Sequence, residues 1–97
     1  MELKDTIEMM QSADYKERFI AEYQQTKIRY EKLKAFNNKI EAAERTGCIF
    51  PTCGNHIEMP KHDCPTDVLR QQQSIMGEYL HILEVRAVIE GIDLNSI

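Results

Sequence analysis

Apolar residues recur at three- and four-residue steps over two long stretches of this chain, the spacing of one face of an α-helix. In the first stretch the positions are Phe19, Tyr23, Tyr30, Leu33, Phe36 and Ile40, with Thr26 and Asn37 in the gaps. No glycine or proline falls between residues 14 and 45, so the pattern predicts one helix over that range. Asp14 is placed to accept from an early backbone N–H, and Glu17 follows three residues later as in a capping box. Some thirty residues at 1.5 Å each give a rod of about 45–50 Å. Gly47 is a natural stop beyond its end.

The second stretch predicts a helix over residues 66–90, opened by Pro65 or Thr66 and capped by Gly91. It carries two adjacent apolar stripes. Val68, Ile75, Ile82 and Ile89 recur every seven residues, and so do Leu69, Met76 and Leu83, with Tyr79, Leu80 and Ala87 beside them. Ahead of both, residues 2–10 make a short amphipathic helix with Leu3, Ile7 and Met10 on one face, and 11–14 read as a break. Residues 46–65 hold three prolines and two glycines and must be a loop. The expected fold is all-α: one domain over 1–97, a short N-terminal helix and a long antiparallel helical hairpin.

The apolar arc of the second helix is wider than one helical partner covers. Self-association into a helical homo-oligomer is the expected cover. The alternative is that the N-terminal helix lies on that face in a monomeric three-helix bundle. A functional counterpart is an adaptor whose wide apolar face takes a helix of another protein.

Composition narrows the function. The net charge of −4 makes general DNA or RNA binding a poor fit, while leaving room for a small anion held by a local basic cluster. No apolar run approaches the ~18 residues of a membrane span, and the acidic first ten residues do not read as a signal peptide, so the expected location is the cytoplasm. Three cysteines, an odd number, argue against a disulfide framework there.

The loop contains Cys48, Cys53, His56, His62 and Cys64, all zinc-ligand types, but without a clean C-x-x-C pair. Its ordinary reading is a loop pinned by packing with free thiols, and no cofactor is expected. A zinc-stabilised scaffold is the variant reading. The first helix has a basic stretch, Lys27, Arg29, Lys32, Lys34 and Lys39, opposed only by Glu31, with Tyr15, Tyr23 and Tyr30 interleaved. Cations hold phosphates and aromatic rings stack on bases, although Tyr23 and Tyr30 also suit the seam between helices. On the second helix Arg70 precedes Gln71, Gln72 and Gln73, and Arg86 falls among the apolar stripes. Arg86 must either pair with Glu78 or Glu90 or reach a ligand phosphate. No nucleophile, base and orienting group can be placed together, and there is no Gly-rich phosphate loop, so the chain does not read as an enzyme.

The stretch 14–33, the segment 60–65 (Pro-Lys-His-Asp-Cys-Pro) and the stretch 72–92 together resemble a family of small phage and prophage proteins. That family shares the helical hairpin of the phage anti-CBASS and anti-Thoeris sponges. The resemblance implies a non-enzymatic protein in the infected bacterium that binds cyclic nucleotide immune messengers and keeps them from their effectors. It further implies hexamers built as trimers of dimers, with ligand pockets where subunits meet. By the same resemblance Lys27 is the phosphate-binding lysine and Tyr15 the base-stacking aromatic. Arg29 and Arg70 are candidates for a second pocket nearer the symmetry axis. Gln73 and Arg86 complete the expected ligand-binding set. The β-rich part that precedes the hairpin in the anti-Thoeris branch has no counterpart here. That difference favours cyclic di- or trinucleotides as the implied ligands and leaves open whether cyclic ADP-ribose isomers also bind.

Overall fold

In a computed structural model, which describes residues 1–46 and 57–95, the N-terminal stretch is a 3-10 turn, Leu3–Thr6, running into one α-helical turn, α1 (Ile7–Met10). Two long helices follow, α2 (Tyr15–Arg45) and α3 (Thr66–Glu90), packed against each other as an antiparallel hairpin. No strand occurs among the described residues. The molecule measures 57 × 24 × 23 Å, a rod set by the length of α2.

Local chemistry explains each helix end. Asp14 is extended, and its Oδ1 accepts from the Lys16 N–H at 3.0 Å. The reciprocal bond expected of Glu17 is replaced, because the Asp14 N–H donates to Ser12 Oγ at 3.0 Å instead. A reciprocal pair occurs upstream, where the Glu2 N–H donates to Asp5 Oδ2 at 2.8 Å. α2 ends at Thr46, whose N–H and hydroxyl both bond to Ala42 C=O. Gly47, the expected stop, lies outside the described residues. Gly91 closes α3 with φ of 68°, the left-handed conformation that only glycine adopts at no cost. The Ile92 N–H then reaches back to Ala87 C=O at 2.8 Å, and the Ile92 side chain tucks into the core.

The main core follows the seam between α2 and α3. Phe19, Ile20 and Tyr23 of α2 meet Leu80, Leu83 and Ala87 of α3, with Ile92 beneath and Met9, Tyr30 and Leu94 around the edge. Ile40 and Ala43 continue the burial toward the loop end, while Leu33 and Phe36 are only half-buried. Ile20 and Ala21 are buried because α2 has a second covered face. The N-terminal turns lie on it, with Gln25 Nε2 donating to Thr6 Oγ1 at 3.0 Å. Gln24 Nε2 likewise pins Leu94 C=O at 2.8 Å.

This placement overturns the alternative in which the N-terminal helix lies on the wide face of the second helix. It packs on α2 and does not pair with α3, so it leaves the extra face of α3 uncovered. Of the two stripes, Leu69, Met76 and Leu83 turn toward α2. Val68, Ile75, Ile82 and Ile89 point outward, exposed by 45, 56, 55 and 77%. The chain exposes 7083 Å², where a monomeric protein of 11.3 kDa typically exposes on the order of 5,700 Å². No described helix is long and apolar enough to cross a membrane.

Candidate functional site

Gly77 sits where α3 crosses Tyr30 of α2, and it lets the two helices approach. A Cβ there would stand 3.3 Å from the Tyr30 ring. The tyrosine ring therefore lies against the α3 backbone and forms one wall of a groove of about 970 Å³. The other wall is a line of α3 side chains at three- and four-residue steps: Arg70, Gln73, Ser74, Glu78 and His81, with Ile82 at the rim. The volume lies within the usual range of small-molecule sites.

The groove carries polar groups of mixed kind. Arg70 Nη2 pairs with Glu44 Oε2 at 3.1 Å, and both side chains are nearly half exposed. Such a pair holds by roughly 0–1 kcal/mol, so turning Arg70 onto a ligand phosphate costs little. Gln73 is bound differently. Its Oε1 accepts from Asn37 Nδ2 at 2.9 Å, and that amide reaches into the seam to Leu69 C=O.

A second cluster lies toward the other end of the hairpin. The Tyr15 hydroxyl donates to Glu90 Oε1 at 2.8 Å and accepts from Arg86 Nη2. The Arg86 guanidinium stands 4.8 Å from the Phe19 ring centre and 3.3 Å from Glu90. Of the two carboxylates weighed for Arg86, Glu90 is the partner, while Glu78 faces the groove. The recess here measures about 210 Å³, below what a nucleotide needs in one chain.

The six expected ligand residues thus separate. Arg70 and Gln73 share the groove, and Tyr15 and Arg86 share the smaller recess. Lys27 lies over the Tyr23 ring at 5.9 Å. Arg29, two residues on and so on nearly the opposite side of the helix, is exposed, with no ion pair among the described residues. Residues outside the expected ligand set complete the groove: Tyr30, which also suits the seam, His81, and Glu78, weighed only as a partner for Arg86. The signal that points to Glu78 and His81 is the polar line Arg70, Ser74, Glu78 and His81, which runs beside the apolar stripe at helical spacing.

Three tyrosines tie the hairpin together by donating to glutamates of the opposite helix: Tyr15 to Glu90, Tyr23 to Glu84 at 2.9 Å and Tyr79 to Glu22 at 2.7 Å. Each carboxylate partner resists ionisation of its phenol and raises the pKa. Tyr23 is the extreme case, pushed up to about 12 by burial first and by Glu84 second. Below pH 10 this phenol is neutral folded or unfolded, and its contribution is whole. Between about pH 10 and 12 only the unfolded chain releases the proton, so stability falls as pH rises. An absorbance titration of the folded protein is expected to place the Tyr23 step near 12, absent in Tyr23→Phe.

Among the metal-ligand types of the loop, His62 and Cys64 are described. His62 donates from Nδ1 to Pro60 C=O at 2.8 Å and meets Phe36 edge-on at 6.0 Å, so it serves local packing. Cys64 is a half-buried free thiol. Cys48, Cys53 and His56 lie outside the described residues, and no group of three ligand types comes together among the others.

A model of the Sequestin family matches residues 13–48 and 53–89, which is both long helices and much of the loop. No curated protein and no solved structure matches the chain.

Proposed function

The chain belongs to the Sequestin family, and from that premise we propose that it binds cyclic di- or trinucleotide immune messengers and holds them intact, as a phage-encoded sponge. The family name supports a binding and sequestering role in general. The groove of Tyr30, Arg70, Gln73 and His81 is the single observation that carries the nucleotide reading. A cyclic nucleotide asks for cations at its phosphates, ring faces for its bases and amides for their edges. The groove supplies one or more of each.

Assembly belongs to the same reading. The outward stripe repeats every seven residues over most of α3, the spacing that a second copy of the same helix matches. Ile82 belongs to that stripe and also forms the rim of the groove. A second copy seated on the stripe would therefore roof the groove and bring its own charged residues to the ligand. The uncovered stripe also favours a second reading, an adaptor that takes a foreign amphipathic helix. A native mass of one chain, with the stripe open, would favour the adaptor.

The test is a thermal-shift screen of the full chain against cyclic di- and trinucleotides and cyclic ADP-ribose isomers, paired with native mass measurement. A ligand at a hundred times its Kd adds about 2.7 kcal/mol and raises the melting temperature clearly. Heating should then release the ligand chemically unchanged. Arg70→Ala is expected to weaken binding by roughly 10- to 100-fold, the worth of a charge-assisted phosphate contact. No shift with any ligand would remove the proposal.

A further inference from the structure

Three seam residues of α2, Tyr23, Tyr30 and Asn37, stand seven apart. Each meets α3 through a different contact. The Tyr23 hydroxyl donates to Glu84 Oε2 at 2.9 Å. The Tyr30 ring lies against Gly77, where a Cβ would stand 3.3 Å from it. The Asn37 NH₂ group donates to Leu69 C=O at 3.2 Å and to Gln73 Oε1 at 2.9 Å. The partners step back along α3 at the same interval. Glu84 and Gly77 are seven apart, and Leu69 and Gln73 flank the position seven further back. Stability does not explain Asn37. It is 4% exposed, and its Oδ1 is buried without a donor. A leucine would fill the same place and leave no buried acceptor unpaired.

The apolar pattern discriminates weakly between this alignment and its neighbours one heptad away. Suppose α3 slid by seven residues, about 10.5 Å along its axis. Met76 would then stand where Leu69 does, Leu80 for Gln73, Leu83 for Met76 and Ala87 for Leu80. The mismatch comes at the open end, where Glu90 would replace Leu83. A slide the other way has one mismatch too, with Gln73 in the place of Leu80. The connection does not fix the alignment either. Twenty residues, 46–65, join the helices, and at about 3.3 Å each they outreach any such slide. The three contacts discriminate strongly. After the first slide Tyr23 would meet Gly91 in place of Glu84, Glu84 would stand where the Tyr30 ring needs a glycine, and Leu80 would face the Asn37 amide. After the second, Tyr23 would meet Gly77, Tyr30 would meet Arg70, and Asn37 would meet the first residue of α3 and the chain before it.

We propose that Tyr23, Tyr30 and Asn37 are a register key, which holds the hairpin to one alignment of its two helices. A hydroxyl, a ring and an amide each take a different counterpart, so no slide by a heptad satisfies all three. A buried polar residue in a helical seam has this effect at some expense of stability, which accounts for the unpaired Oδ1 of Asn37. The groove beside Tyr30 exists in this alignment, because its wall is the α3 surface around Gly77. The inference concerns the frame that carries the groove and does not depend on what the groove binds.

A triple variant, Tyr23→Phe with Tyr30→Leu and Asn37→Leu, tests it. The changes make the α2 side of the seam uniformly apolar and leave α3 intact. Amide NMR spectra of the isotope-labelled full chain are read at Gly77 and Gly91. The wild-type chain is expected to give one signal for each of these amides, with a through-space contact between Gly77 and the Tyr30 ring. The triple variant is expected to keep its helicity by circular dichroism and to give more than one signal for each amide, as slid alignments become populated. One signal per amide in the triple variant, with Gly77 still in contact with position 30, would overturn the proposal, since the apolar pattern alone would then set the alignment. Loss of helicity in the triple variant would overturn it as well, because the three residues would then supply stability in place of alignment.

Discussion

Leu83→Ala is expected to cost about 3–4 kcal/mol and to lower the melting temperature by roughly 15–25 °C. Leu83 is 1% exposed, within the seam between α2 and α3. Removing its branched end forfeits the transfer free energy of the lost carbons and leaves a cavity between two rods that cannot collapse without bending. Neighbouring positions on α3 behave differently. Ile82 precedes Leu83 by one residue and is 55% exposed in the single chain. Within that chain Ile82→Ala removes little buried area and should cost well under 1 kcal/mol. The pair of melts, followed by helical circular dichroism, therefore reports on assembly as well as on the core. If Ile82→Ala costs nearly as much as Leu83→Ala, the stripe is buried in solution by something other than α2. A shift for Leu83→Ala of only a few degrees would mean that the seam is packed differently.

The two long helices were legible because each is set by short-range rules. Apolar steps of three and four, an Asp before the first helix, a Pro-Thr entry and a terminal glycine mark α2 and α3 to within one residue. The cap at Asp14 was legible only in part. Ser12 competes with Glu17 for the same N–H, and a nearer hydroxyl on a turn wins over a longer side chain on the helix. The docking of the N-terminal turns was not legible, since Leu3, Ile7 and Met10 fit either long helix equally well by pattern. What places them on α2 is the fully buried Thr6, whose hydroxyl accepts from Gln25 of α2, on a helix whose Ala21 is fully buried too. Small and polar residues carry that contact, and hydrophobic spacing is blind to them.

The candidate site was legible by residue type and not by place. Arg70 and Gln73 share a groove, but Tyr15 and Arg86 sit at a different recess, and Lys27 and Arg29 diverge around α2. Sequence spacing gives the face of each helix, yet the crossing of two helices decides which faces meet. Gly77 sets that crossing through Tyr30, and a single glycine inside a helix gives no hint of it in a pattern of apolar steps. The choice between Glu78 and Glu90 for Arg86, by contrast, was legible by spacing: Glu90 lies one turn on, at i+4, and Glu78 lies eight residues back, about 12 Å along the axis.

The other large effect is expected from a double substitution, Ile75→Asp with Ile89→Asp. Both side chains lie on the outward stripe, exposed by 56 and 77%, and neither lines the groove. In a lone hairpin the change should barely alter stability, because little apolar area is lost and the carboxylates stay in water. Across an interface between copies it would bury several carboxylates against apolar surface, at a cost of several kcal/mol for each uncompensated charge. Native mass should fall from an assembly to one chain, while helicity remains. Ligand-induced stabilisation should fall with it, although every polar residue of the groove is untouched, because in the proposed assembly the roof over Ile82 comes from the neighbouring copy. That combination separates assembly from direct contact: Arg70→Ala should lose the ligand and keep the mass. A wild-type mass of one chain, or a double variant that stays assembled, would refute the stripe as the contact. A monomeric variant that binds messengers as tightly as the wild type would show that one hairpin suffices and that the neighbouring copy contributes nothing to the groove.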